Sequence, residues 1–330
     1  MSTDASRGGL FASPPPTVAV DIARDRVTAL SLTQSGGQAV IAAYAFEALS
    51  PNVLDPALNA PNIRDSAALT AAVTSALDKV ASRTRRVALV LPDTVGKVSL
   101  VRFDKVPGRA QDLDQLIRWQ VRKAAPFRIE DAQVSWIPGL ELPGGGREFV
   151  VTMARRDIVG EYEQACEAAG AQAGIIDLAT FNLINVILAS GTVSTSKDWL
   201  LVHVAADYAT LAVVRGEHLV FFRNRGVAAE AELADLVHQT AMYHEDRLGG
   251  GGFSHVVLGG AAMYGADQAE RVRRGLEERL GTRVEPLDFR GAAAVRDRIT
   301  VNPGLLDMLA PGVGVLLRER GSTHAAGRVA

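Results

Sequence analysis

Two stretches decide the fold: VAVDIARDRVTALSL, from Val18 to Leu32, and LLVHVAADYATLAVV, from Leu200 to Val214. Each is a run of apolar and β-branched residues broken once by a short polar turn, the pattern of two paired strands. Laid on one another they match without a gap at a constant offset of 182 positions. Residue identity is low, but the flanking order agrees as well. After the first stretch comes a third strand, Gln38 to Phe46, beyond the turn Ser35-Gly36-Gly37. A Pro- and Asn-rich connection from Ser50 to Asn62 leads to a helix, Ala67 to Ser82, with Leu69, Val73, Ala76, Leu77 and Val80 at helical spacing. The run Val87 to Leu91 is then stopped by Pro92. The second stretch is followed in the same order by a strand, Leu219 to Arg223, a helix, Ala231 to Leu248, and a strand, His255 to Leu258, ending in Gly259 and Gly260. The chain therefore reads as a duplicated β-β-β-α-β module of the α/β class.

Between the copies lies a segment that belongs to neither, roughly Gly96 to Gly146. Lys97 to Phe103 reads as a strand. Gln111 to Ala125 reads as an amphipathic helix ended by Pro126, and Ala132 to Ile137 and Glu148 to Met153 read as edge-type strands. Asp157 to Gly170 is a helix closed by glycine. Trp119 and Phe127 are expected in the core that docks the insert helix. These patterns divide the chain into a first module at 17–95, an inserted α+β subdomain at 96–156, connecting helices at 157–198 and a second module at 199–319. The segments 1–16 and 320–330 are expected to lack fixed structure.

Composition excludes several classes of function. Among 330 residues, 35 Lys and Arg face 37 Asp and Glu, so no overall charge draws the chain to nucleic acid or to an anionic membrane. The single cysteine, Cys166, rules out an internal disulfide and a Cys-rich zinc site. It shares an apolar helical stripe with Tyr162 and Ala169, as a core residue does. The most apolar stretch, Ile175 to Ala189, is interrupted by Asp177, Asn182 and Asn185, and is too short and polar to span a bilayer. The N-terminal tail lacks the apolar run of a signal peptide, which suggests a cytoplasmic protein.

Enzymatic motifs fail one at a time. The fragment DTVGKV, Asp93 to Val98, lacks the upstream glycine of a phosphate loop and places valine where Mg2+ needs a hydroxyl. His244-Glu245 opens like a zinc-protease helix, but the position four residues after His244 is Leu248. The Gly249 to Gly252 run follows a helix, whereas a dinucleotide fingerprint precedes one. No catalytic residue and no metal ligand set is assigned.

The order of five segments carries a resemblance: VAVDIARDRVTAL from Val18, VALVLPDTVGKVSLVRFDKVP from Val87, DLDQLIRWQVRKAAPF from Asp112, VVLGGAAMYGADQAERVRRGLEERLGTRVEPLD from Val256, and LAPGVGVLLRE from Leu309. In this order the chain resembles the type IV pilus assembly protein PilM family of the actin-like ATPase superfamily. The resemblance implies two actin-like, ribonuclease-H-like modules with an SHS2-like insert, and ATP with Mg2+ held between the modules. Its nucleotide-site positions fall here on Asp21, Ala23 and Thr28 in the first module, and on Asp207, Thr210, Gly226, Gly259 and Gly260 in the second. Phosphate binding at such turns demands glycine, so that backbone amides approach closely, and carboxylates for the hydrated metal. Here the first turn retains Asp21 but has Ala23 for glycine. The second has His203 and Ala205 for carboxylate and glycine, and the segment after Gly226 is shortened. ATP and Mg2+ are therefore expected weakly bound or absent, and the chain reads as a degenerate ATPase.

By the same resemblance the partner is the cytoplasmic tail of a PilN-like single-span membrane protein, together with other components of the pilus assembly platform. Membrane contact would come only through that partner. Arg118, Arg122 and Lys123 on the insert helix are the candidate partner-binding residues, with a solvated helix face as the alternative. An adaptor is the leading expectation. An active actin-like ATPase or sugar-kinase-like enzyme is the alternative, and a filament or other homo-oligomer remains open.

Overall fold

The computed structural model describes residues 15–80, 86–227, 230–296 and 301–326, with side chains described to 318. Two sheets of like topology form its frame. The first is built from β1 (Val18–Ala23), β2 (Arg26–Ser35) and β3 (Gln38–Ala48), then helix α1 (Ser66–Lys79) and β4 (Arg86–Leu91). Apolar periodicity puts Leu69, Val73, Ala76 and Leu77 of α1 against this sheet, and the Asp65 carboxylate caps the helix by accepting from the Ala68 amide at 2.9 Å. The turn after β2 holds Gly36 and Gly37 at φ 58° and 81°, the left-handed pair that a tight hairpin requires.

The insert contributes β5 (Gly96–Phe103), α2 (Ala110–Arg122), β6 (Ala132–Glu141) and β7 (Arg147–Arg155), in the sheet order β5-β7-β6. Leu113, Ile117 and Val121 seat α2 on one face of that sheet, whereas Val150 on the other face joins the main core between the modules. After α3 (Arg156–Ala168) the chain forms β8 (Gln172–Leu178), which pairs parallel with β4, and then α4 (Ala179–Ser190). The stretch 157–198, expected as connecting helices, thus includes a strand. Ile175 and Ile176 sit opposite Ala88 and Leu89, and that apolar edge is covered by adding β8 to it.

The second module repeats the plan with β9 (Trp199–Val204), β10 (Tyr208–Arg215), β11 (His218–Gly226), α5 (Glu230–Leu248) and β12 (Val256–Gly259). The strand orders β3-β2-β1-β4 and β11-β10-β9-β12 correspond. Asp21 pairs with Thr28 across β1 and β2, while His203 pairs with Thr210 across β9 and β10, each position shifted by the same 182. Even the register irregularity repeats, at Ser31/Leu32 in one copy and Val213/Val214 in the other. The connection from Gly226 to Glu230 is as short as the sequence implies.

Helix α6 (Ala266–Leu280) and β13 (Val284–Pro286) complete the second sheet, β14 (Ala293–Val295) returns to pair with β3, and α7 (Pro303–Ala326) runs back through the core. Two expectations are corrected. Residues 320–326, expected without structure, continue α7, which meets no proline after Pro311. Trp119, expected in the core, is 59% exposed, because the inward stripe of α2 is complete with Leu113, Ile117 and Val121. The tail residues 1–14 and 327–330 lie outside the described residues. Among the described residues no helix is long and apolar enough to cross a membrane.

Candidate functional site

The two modules face each other across a cleft bordered by the β1–β2 and β9–β10 turns. Each turn follows a strand whose last residues leave the sheet at its parallel-paired end, the usual ligand edge of an open α/β sheet. The 182-residue duplication makes the two turns equivalent and brings Asp21, Ala23 and Thr28 opposite His203, Asp207 and Thr210.

The deepest group is one the motif search passed over as part of a failed phosphate loop. Asp93, fully buried just after β4, places its carboxylate between the modules. It accepts from the Thr180 amide at 3.0 Å, from the Thr180 hydroxyl, and from the Thr210 hydroxyl of the second module at 2.7 Å. His203 Nδ1 lies 3.3 Å from the same carboxylate and 2.8 Å from Thr180 Oγ1, and the Tyr208 hydroxyl accepts from the Asp93 amide at 3.1 Å. Burial alone pushes the Asp93 carboxyl up. The His203 and Thr180 interactions outweigh it and hold the group below the usual carboxylate range. Its oxygens are committed to the fold, so it is not free to orient water or metal.

Asp21 differs. It is 4% exposed, its Oδ2 has no hydrogen-bond partner, and the nearest cation is Arg26 at 3.9 Å. Burial pushes its carboxyl up to about 6, against the attraction of Arg26 and His203. Thr28, its partner across the strands, is buried with its hydroxyl unpartnered. Ala23 ends β1, and the next residue, Arg24, reaches across the cleft to Asp207 with Nη1 to Oδ2 at 2.7 Å. Arg26, itself largely enclosed, lies beside Tyr264 of the second module. Two guanidinium groups of the first module therefore occupy the space between the turns.

Asp21, Ala23, Asp207 and Thr210 thus meet at one cleft, and Gly226 lies close by, with the Val227 amide donating to the Asp207 carbonyl. Gly259 pairs with His203. Gly260 adopts φ 87°, and a Cβ there would stand 2.0 Å from the Val204 carbonyl oxygen, so the chain's own packing demands glycine at this position. Arg118, Arg122 and Lys123 are not part of this site. They lie on α2 in the insert, where Arg118 pairs with Asp114 at 2.7 Å, Arg122 with Glu130 at 3.3 Å, and Lys123 sits 5.4 Å from the Trp119 ring centre.

The fit to Mg-ATP fails on this geometry. The cavity between the turns has a volume of about 20 Å3, room for about one water molecule, and Asp21, Arg24, Arg26, His203 and Asp207 line it. A triphosphate would have to displace the Arg24–Asp207 pair, at turns that carry alanine at positions 23 and 205, where only glycine would let backbone amides close on phosphate. A wider groove of about 800 Å3 runs beside α6 and the start of α7, but its buried carboxylate, Asp307, is already bonded to the Ala262 amide at 2.9 Å. Among the described residues no cluster of His, Cys, Asp and Glu could hold a metal. Sequence reasoning missed Arg24, Arg26, Asp93, Thr180 and Tyr264. The only available signal was Asp93 following a buried strand and Pro92, as a site residue at a strand's carboxyl end would.

Residues 19–246 match the family model described as type IV pilus assembly protein PilM. Among solved structures, the chain is similar to one in a PilM-PilN type IV pilus biogenesis complex, with a TM-score of 0.78 and 18% identity over 93% of this chain and 99% of that one. It is also similar to a Bacteroides thetaiotaomicron protein with an actin-like ATPase fold and unknown function, with a TM-score of 0.51 and 10% identity over 88% of this chain and 94% of that one. Both likenesses carry the actin-like fold.

Proposed function

The chain belongs to the type IV pilus assembly protein PilM family, and on that premise we propose that it is a non-enzymatic adaptor of an inner-membrane pilus assembly platform. It binds the short cytoplasmic tail of a PilN-like single-span membrane protein, in a groove beside the inserted subdomain, and reaches the membrane through that partner. The partner is supported by the likeness to a chain solved in a PilM-PilN complex. An extended tail bound this way adds main-chain hydrogen bonds for affinity and a few side-chain pockets for specificity.

The observation that carries the non-enzymatic reading is the 2.7 Å Arg24–Asp207 pair, which fills the place between the turns where a phosphate chain would lie. Loss of a positioned acid or base costs roughly 10²- to 10⁴-fold in rate. Here the carboxylate nearest the centre, Asp93, is consumed by structural bonds.

Binding of a labelled peptide with the sequence of a PilN-like cytoplasmic tail tests the reading. Saturable binding of equal affinity with and without Mg-ATP is expected, and no binding at millimolar peptide would overturn the adaptor. Retention of Asp21, buried with its Oδ2 unpartnered, favours the active ATPase as the second reading. Micromolar affinity for Mg-ATP that Asp21→Ala abolishes would establish it.

A further inference from the structure

We propose that the outer face of the second module, where β11 lies against α5, is a second docking surface, and that its partner is an extended acidic segment of another protein with the pattern apolar-x-acid-x-acid. This goes beyond the adaptor reading, which uses a groove beside the insert, and it does not depend on which tail that groove holds.

Strand register sets the surface. Val213, Leu211 and Ala209 of β10 point into the core under α5, together with Leu233 and Val237 of that helix. Their partners across the ladder are Phe221, Arg223 and Arg225, so these three side chains leave β11 on one face at a period of two. Phe221 is half-buried, and its ring stands 5.3 Å from that of Tyr243 on α5. The Arg223 guanidinium lies 5.4 Å from the centre of the same Phe221 ring. Tyr243 and its neighbour Met242 are 41% and 52% exposed, so an apolar end adjoins a cationic one.

The two arginines are left without a carboxylate. Among the described residues neither forms an ion pair, and two acids at the start of α5 are turned to α6 instead, Glu230 to Arg271 at 3.4 Å and Asp235 to Arg279 at 2.7 Å. Because α5 starts at Glu230, shortly after β11 ends at Gly226, no strand or helix lies between them in the chain to cover the seam.

Side chains two positions apart on a strand stand about 7 Å apart, and alternate side chains of an extended peptide have the same spacing. A segment lying along β11 therefore meets Arg223 and Arg225 with carboxylates at alternate positions, each bound through two parallel hydrogen bonds. Two residues further along, an apolar side chain reaches Phe221, Tyr243 and Met242. The stack of guanidinium on aromatic is in place before binding, which lowers the cost of ordering. Glu245 and Asp246, exposed on the next turn of α5, confine the cationic surface to this pair. With a net charge of -2 on the chain, recognition rests on these groups and their spacing, as a peptide requires and a membrane or nucleic-acid backbone does not.

Fluorescence anisotropy of the full chain with a labelled peptide carrying Leu-Thr-Glu-Thr-Glu between Gly-Ser flanks tests this. Saturable binding is expected, weakened roughly fivefold by each of Arg223→Ala, Arg225→Ala and Tyr243→Ala. Reordering the same residues as Leu-Thr-Thr-Glu-Glu should weaken it by a similar factor. The double reversal Arg223→Glu with Arg225→Glu should lose the acidic peptide and gain one with lysine in place of both glutamates, an exchange that a misfolded variant does not make. No binding at millimolar peptide, equal affinity for the two orders, or unchanged affinity in the arginine variants would overturn the proposal. So would tighter binding, through the same arginines, of a poly-deoxythymidine oligonucleotide or of vesicles with anionic lipid. Self-association in sedimentation velocity that these variants abolish would overturn it as well, by making a second copy the occupant. The tail-peptide measurement of the proposed function addresses a different surface, so either reading can fail alone.

Discussion

The Thr210 hydroxyl, on the second module, donates a 2.7 Å hydrogen bond to the carboxylate of Asp93, on the first. Thr210 in turn accepts from the Asn224 amide side chain at 2.8 Å, so a continuous chain of donors runs from β11 through β10 to the end of β4. A charged group at the boundary between two modules is stable only when such bonds replace its water. Asp93 has them from both sides, which makes it a structural joint.

Replacing Asp93 should therefore cost far more than a surface change. Asp93→Ala strands Thr180, Thr210 and His203 without their acceptor, and a loss of about 3–5 kcal/mol is expected from urea unfolding. Asp93→Asn retains one acceptor oxygen and should cost less. Equal, small losses for both variants would show that the joint is not there.

Asp21 makes stability depend on pH in the opposite sense to a paired carboxylate. Burial lifts its carboxyl from the ordinary 3.8 to about 6, so between those values the folded chain keeps a proton that the unfolded chain has lost. Stability falls as pH rises through this window, by about 3 kcal/mol for this group. Asp21→Asn should raise the denaturation midpoint at pH 7.5, leave it unchanged near pH 3, and flatten the slope between. Asp307, also lifted to about 6 chiefly by burial, keeps part of that slope in the variant.

Gly260→Ala is expected to destabilise the fold by about 2 kcal/mol or more, since φ 87° disfavours a side chain and the new Cβ meets the Val204 carbonyl. Calorimetry of the ligand-free protein detects this. A loss of that size without nucleotide assigns the glycine to packing.

Trp119→Ala should change stability by less than about 0.5 kcal/mol, because the ring is 59% exposed. Ile117→Ala, two positions away and fully buried, should cost about 2–5 kcal/mol. Acrylamide should quench Trp119 emission readily and leave that of the buried Trp199 largely intact.

Much of the frame was legible before any coordinates. The alternation in Val18 to Leu32 and its echo from Leu200 specify two hairpins of one design, and the repeated register irregularity at Ser31 and Val213 shows how far the echo extends. Helix α2 was legible from its apolar stripe, but the same stripe did not tell which side Trp119 faces, because an aromatic at the stripe's edge suits either side. Strand β8 was hidden inside an apolar run, where a buried parallel strand and a buried helix have the same composition.

The sequence by itself determined the duplication and the insert, because these are written in local spacing: a period of two and a period of 3.6. Only the tertiary structure decided what fills the cleft. Arg24 and Asp207 stand 183 positions apart, and Asp93 and Thr210 stand 117 apart. Such pairs meet through the packing of α4 and α7 between the two sheets. No pattern along the chain encodes that packing, because whether a guanidinium faces solvent, a ligand or its own carboxylate depends on how two remote turns are aligned in space.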